Sequence, residues 1–60
     1  MKVGDIITNE YSNTGKIIEI NGNEAIVEVF NYGIKNDIDY CDIKLCRPAN
    51  ELELLQAFEI

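Results

Sequence analysis

Apolar positions along this chain recur every second residue over short runs. The clearest runs are Lys16 to Ile20 and Glu24 to Phe30, separated by Asn21-Gly22-Asn23. Alternation of this kind predicts strands. Asn-Gly between two β-branched runs predicts a tight hairpin, because its turn needs positive φ and these residues tolerate it. A two-residue or a four-residue loop puts Ile18, Ile20, Ala25, Val27 and Val29 on one face, whereas a three-residue loop breaks that face. The strict two-residue register sets Glu19 opposite Glu24. Like charges so placed are unfavourable, so the four-residue loop Asn21 to Glu24 is expected. The other face carries Ile17, Ile26 and Phe30 beside Glu19 and Glu28. It therefore needs a cover, or the strands must bend enough to change sides.

The remaining pattern is shorter. Val3 to Thr8 predicts a first strand after a Gly4-Asp5 bend, and Asn9 to Thr14 predicts a polar loop ending at Gly15. Asn31 to Asn36 contains Tyr32-Gly33 and predicts a turn. Asp37 to Tyr40 follows as a short strand, Cys41-Asp42-Ile43 as one helical turn, and Lys44-Leu45-Cys46 as a last strand. Pro48 then breaks the chain. Asn50 is placed to cap a helix, with Glu53 three residues on as a capping box requires. Leu52, Leu55 and Phe58 share a helical face. The segment also alternates through Leu52, Leu54, Phe58 and Ile60, but Glu, Leu, Gln and Ala favour the helix. Residues 1–47 are read as the β unit, and 48–60 as a helical segment packing on it and covering its second face.

Five short strands with a helical turn before the last resemble an SH3-like small barrel. The residues that carry the resemblance are Val3-Gly4-Asp5-Ile6-Ile7, Gly15-Lys16-Ile17-Ile18, Ala25-Ile26-Val27-Glu28-Val29 and Asp42-Ile43-Lys44-Leu45. Their order is similar to KOW-type and Tudor-type modules, over about residues 2 to 46. The expected fold is thus mostly β, a single five-stranded antiparallel SH3-like barrel with a short C-terminal helix. A KOW-type resemblance implies contact with RNA or with ribosomal or transcription proteins. A Tudor-type resemblance implies an aromatic cage for methylated Lys or Arg, loosely matched by Tyr11, Phe30, Tyr32 and Asn36. Cation–π attraction is what such a cage would use.

Charge narrows these implications. The sequence holds eleven acidic and five basic residues in 60, a formal net charge of −6. Nucleic-acid phosphate is bound by Lys and Arg that displace counterions, and Lys2, Lys16, Lys35, Lys44 and Arg47 form no run. The same field favours a basic partner. Heavy use of Ile, Asn, Glu and Tyr, with little Ala or Arg, points to an AT-rich prokaryotic or viral genome. The N-terminus lacks the apolar core of a signal peptide, and no apolar run approaches the ~20 residues of a membrane span. A cytoplasmic protein is expected.

The chemistry of catalysis is missing from the sequence. There is no histidine, and Ser12 is the single serine, without a base to activate it. Two cysteines cannot supply the roughly four ligands of a zinc site. No phosphate loop or dinucleotide fingerprint occurs. No cofactor or metal is expected, and the chain is read as a non-enzyme. Cys41 and Cys46 stand about 16 Å apart if the segment between them is extended. A disulfide needs Cα atoms within about 7 Å, so two small buried hydrophobes are expected unless a turn shortens the gap. Asp37 and Asp39 would share one strand face as an acidic edge that resists strand-to-strand aggregation.

These readings give a leading expectation and two alternatives. The first is a protein-interaction module that receives a basic or aromatic-seeking partner on Tyr11, Tyr32, Tyr40, Asp37 and Asp39. One alternative is a small acidic phage or mobile-element inhibitor that mimics nucleic-acid charge. The other is a KOW-like RNA or ribosome contact, which needs Lys16, Lys35, Lys44 and Arg47 to converge. Homodimerisation through Ile17, Ile26 and Phe30 stays open if the C-terminal segment leaves them bare.

Overall fold

The computed structural model describes residues 1–59. Its strands are β1 (Ile6–Thr8), β2 (Thr14–Asn21), β3 (Glu24–Asn31), β4 (Ile34–Asp42) and β5 (Arg47–Pro48). A 3-10 turn, Ile43–Leu45, joins β4 to β5, and a helix, α1 (Glu51–Phe58), follows. All pairings are antiparallel, in one sheet of order β4-β3-β2-β1-β5. The fold is mostly β with a short C-terminal helix. No ladder joins the two ends of the sheet.

The β2–β3 hairpin pairs Ile20 with Ala25, as the four-residue loop requires, and then closes one step further by pairing Asn21 with Glu24. Gly22 and Asn23 remain as the turn, with Gly22 at φ 61°, the left-handed value a glycine supplies without a Cβ clash. Glu19 faces Ile26 and so avoids Glu24. The face assignment differs from expectation at two residues, Ile17 and Ile18. The register shifts between Ile17 and Glu19, leaving Ile18 as the extra residue of a bulge. Ile17 is 0% exposed and Ile18 38%. A bulge bends its strand and changes which side chains point inward. The expected bending of the strands is therefore what disposes of Ile17.

The core holds Ile7, Ile17, Ala25, Val27, Val29, Cys41 and Cys46, with Ile20 and Ile43 packed against it. Gly15 lies where β2 meets β3. A Cβ there would collide with the Glu28 carbonyl and sit 2.8 Å from Val27 Cγ1, so this crossing requires glycine. β1 is shorter than expected, because Gly4 (φ 97°) turns the chain just before it. The helical turn and last strand fall later than expected. Asp42 stays extended and caps the turn, its carboxylate accepting from Lys44 N at 2.9 Å. β5 then pairs Pro48 with Ile7 and Arg47 with Thr8. An outermost strand is where a proline costs no ladder bond.

The helix starts as its sequence predicts. Asn50 Oδ1 accepts from Glu53 N, and the Glu53 carboxylate accepts from Asn50 N, both at 2.9 Å. Its rotation differs from expectation. Ala57 is 1% exposed, whereas Leu52 is 76% exposed and Leu55 also stands out. Three contacts with other elements set this rotation. Arg47 donates twice to Glu53, at 2.7 and 2.5 Å. Phe58 stacks on Phe30 at 5.0 Å between centroids. The β3–β4 turn donates Tyr32 N to Gln56 O and Gly33 N to Ala57 O, at 2.9 and 2.7 Å. Those amides satisfy carbonyls that every helix C-terminus leaves unpaired.

Candidate interaction surface

The loop between β1 and β2 is built by Asn9, which is buried. Its Oδ1 accepts from Tyr11 N and Asn13 N, each at 3.0 Å. Its Nδ2 donates to Asp39 Oδ2 at 2.8 Å and to Cys41 Sγ at 3.2 Å. Asn13 Nδ2 adds a second bond to Asp39 Oδ2 at 2.9 Å. One buried amide therefore orders its own loop and ties it to β4, a strand far away in the sheet order. It links by side chain two regions that no ladder connects. Ser12 is held at φ 64° in this loop. The neighbouring hydroxyls of Thr8 and Thr14, also buried, bond each other at 2.8 Å.

Where this loop approaches the helix, a cleft of about 180 Å³ opens. Asn13 lines one wall, Phe30 and Asn36 another, and Glu53 and Gln56 the helix side, with Val29 among them. The lining is largely amide and hydroxyl. Glu53 is already engaged by Arg47, whose guanidinium, together with the Asn50 amide, pulls its carboxyl down to about 2 from the ordinary 4.5. The cleft suits a polar group. It brings together two of the residues that the Tudor-type resemblance pointed to, Phe30 and Asn36, but Phe30 has its ring against Phe58.

The five residues singled out in the sequence do not form one patch. Tyr11 stands in the β1–β2 loop and Tyr32 in the β3–β4 turn, where it adopts φ 53°. Both are about 60% exposed, as is Tyr40. Tyr40 lies opposite Ile26 on the sheet face away from the core, with Ile38 opposite Glu28 beside it. Asp37 is exposed, next to the register shift in which β4 sets Asn36 and Asp37 against Val29. Asp39 points to the core side and is tied to Asn9 and Asn13. The two aspartates thus have different surroundings. Tyr11 and Tyr32 adjoin cleft residues in sequence without lining the cleft.

The remaining charged and reactive groups add little chemistry. Cys41 and Cys46 are free and buried, and burial pushes both thiols up from their ordinary value. Lys2 pairs with Asp5, Lys35 with Glu28 and Arg47 with Glu53. Hydrogen bonds from Lys2 hold the Asp5 carboxyl low. No cluster suited to a metal ion occurs among the described residues, and no helix among them is long and apolar enough to cross a membrane.

Sequence reasoning missed Asn9, which organises the site, because a lone Asn in a polar loop looks like ordinary turn chemistry. The available signal was the pair Asn9 and Asn13 bracketing a short loop, since Asn side chains bond their own backbone two or more residues on. It missed as well the extent of β4, whose exposed side chains Ile34, Ile38 and Tyr40 carry no core pattern. Comparison with protein-family models, with curated protein sequences and with solved structures finds no match for this chain.

Proposed function

We propose that this chain is a non-catalytic protein-interaction module of the SH3-like type that receives a basic partner. The observation that carries the reading is the surface of β4 and its flanking loops. Ile34, Ile38 and Tyr40 are exposed on β4 and Tyr32 in the turn that precedes it, within a chain of net charge −6. Large apolar groups left in water beside fixed negative charge suit a partner that brings both apolar contact and cations. The strand order, with a 3-10 turn before the last strand, supports the SH3-like assignment. The test is capture of partners from host lysate with washes at low and high salt, repeated with Tyr32→Ala and Asp39→Lys. A basic partner that both variants bind as well as the parent does would refute this surface.

A second reading, the acidic mimic of nucleic-acid charge, has its own observation. Among the described residues three of the five cations are already paired with carboxylates, so few cations interrupt the net charge of −6. It predicts a nucleic-acid-binding partner released steeply by salt. The same pairs leave little for an RNA contact, since Lys35 and Arg47 are both engaged. A gel shift at low salt with no RNA retained would remove that third reading.

A further inference from the structure

The geometry points to a specific mode of recognition: an extended basic segment of a partner protein adds as a strand to the open edge of β4. The inference rests on the interaction-module reading and names how that module would bind. Its first support is the direction of the backbone. Ile43 N donates to Asn23 O at 2.8 Å, and in the register that sets Ala25 against Cys41 this places residues 43 and 23 at a hydrogen-bonded position of the ladder. Antiparallel pairs alternate between bonded and non-bonded, so Cys41 with Ala25 and Asp39 with Val27 are the bonded pairs of this ladder. The N–H and C=O of Ile38, Tyr40 and Asp42 therefore point away from β3, towards the edge. Asp42 N meets Glu10 Oε1 at 3.4 Å. For Ile38 and Tyr40 no protein partner is found on that side among the described residues.

The second support is what surrounds those groups. β4 is the end strand of the sheet, and Ile38 and Tyr40 also expose their side chains on its outer face. Protected edges usually carry charge or proline at such positions. Here the charge lies on the neighbouring residues, Asp37 and Asp39, with Glu10 at the far end. A strand laid against Ile38 to Tyr40 would alternate its side chains between two environments. One set would lie beside Ile38 and Tyr40, the other beside Asp37, Asp39 and Glu10. That matches a segment in which apolar and basic residues alternate. The same acids oppose a second copy of this chain, which would bring its own aspartates to the same line. Strand addition draws affinity from main-chain bonds and specificity from alternate side chains, so a short segment suffices.

The test is amide exchange by NMR on the full chain, with a capped peptide of alternating lysine and valine, about six residues long to match the edge. A peptide of alternating lysine and proline carries the same charge but lacks every second backbone donor, and its prolines fix φ away from strand geometry. The expected result is exchange of the Ile38 and Tyr40 amides slowed at least ~10-fold by the lysine–valine peptide alone. Asp37→Lys, an exposed site, should weaken that protection without altering the parent spectrum elsewhere. Shifts at Asn13, Phe30 and Gln56 with no edge protection would overturn the edge and leave the module reading standing, with the cleft as its site. Edge protection that grows with protein concentration and no peptide would assign the edge to a second copy and overturn the proposal. No change at any amide at saturating peptide would overturn it too, while partner capture still decides the module reading.

Discussion

β3 and β4 lie side by side, are similar in length and share one ladder, yet they meet different surroundings. β3 buries Ala25, Val27 and Val29 in strict alternation, while its other face is half-covered. β4 buries only Cys41 and leaves Ile34, Ile38 and Tyr40 in water. Neighbours on both sides and a filled core explain β3. β4 has a neighbour on one side only and a bulge at Asn36–Asp37. Its inward positions past Cys41 meet the polar network of Asn9 in place of apolar side chains. Stability is concentrated in one strand, and the surface available for recognition in the next. A 60-residue domain has a small margin to spend on exposed apolar groups, so their concentration on β4 is a reason to look for function there.

The largest expected effect tests this division directly. Ile17 is wholly buried between β3 and the rest of the core, so Ile17→Ala should cost about 2–5 kcal/mol and leave the chain largely unfolded. Ile38→Ala on β4 should stay within about 0.5–1 kcal/mol, as exposed sites do. Urea denaturation of both variants decides it. Because Ile17 lies on β2 opposite Val27 of β3, equal losses would mean that β4 is as much a part of the core as the β2–β3 hairpin.

Next comes the link between the two ends of the sheet. Asn9→Ala removes the acceptor for Tyr11 N and Asn13 N and one of the two amides on Asp39. Leaving such groups without partners costs about 1–3 kcal/mol. Asn9→Asp keeps the acceptor but replaces the amide donor with a second carboxylate against Asp39, so its loss in urea denaturation should shrink with added salt. A loss that ignores salt would show that Asp39 does not feel this residue.

How much of this was legible follows from the range of each interaction. The β2–β3 register was readable because the alternation, the Asn-Gly turn and the repulsion of Glu19 from Glu24 are all local. The Asn50–Glu53 box was readable for the same reason. The bulge at Ile18 was not, since three adjacent positions, Ile17, Ile18 and Ile20, are chemically alike and only tertiary packing chooses among them. The helix rotation was not either: Leu52, Leu55 and Phe58 form the better apolar stripe, but the docking is decided by Arg47, Phe30 and the Tyr32-Gly33 amides. The role of Asn9 depends on Asp39, thirty residues away, and no local pattern announces it. Of the candidate site, the residue types were visible in the sequence, while their division between the loops, the core side and the open edge came only with the topology.

The helix offers a smaller effect. Asn50→Ala removes one half of the capping box and should cost about 1 kcal/mol. Because α1 closes over the Tyr32-Gly33 turn, the loss should appear first as faster amide exchange at Tyr32 and Gly33, with β3 unaffected. Simultaneous loss of protection in β3 would mean that helix and sheet unfold as one unit.

The smallest effect is the acid response of the same contact. Glu53 is held at about 2 in the folded chain, mainly by Arg47 and also by the Asn50 amide, against an ordinary 4.5. A lowered carboxyl adds stability that is present above the ordinary value and is lost as pH falls through the folded one. The contribution of Glu53 should therefore fade between pH 4.5 and about 2, and it is modest because the pair lies at the surface. Glu53→Gln separates this from general acid unfolding, since Gln at this position still reaches back to the Asn50 amide. The variant should start slightly less stable at pH 7 and lose less on acidification, the two curves converging near pH 2. Parallel curves would show that the capping geometry, and not the charge on Glu53, holds α1 against the β3–β4 turn.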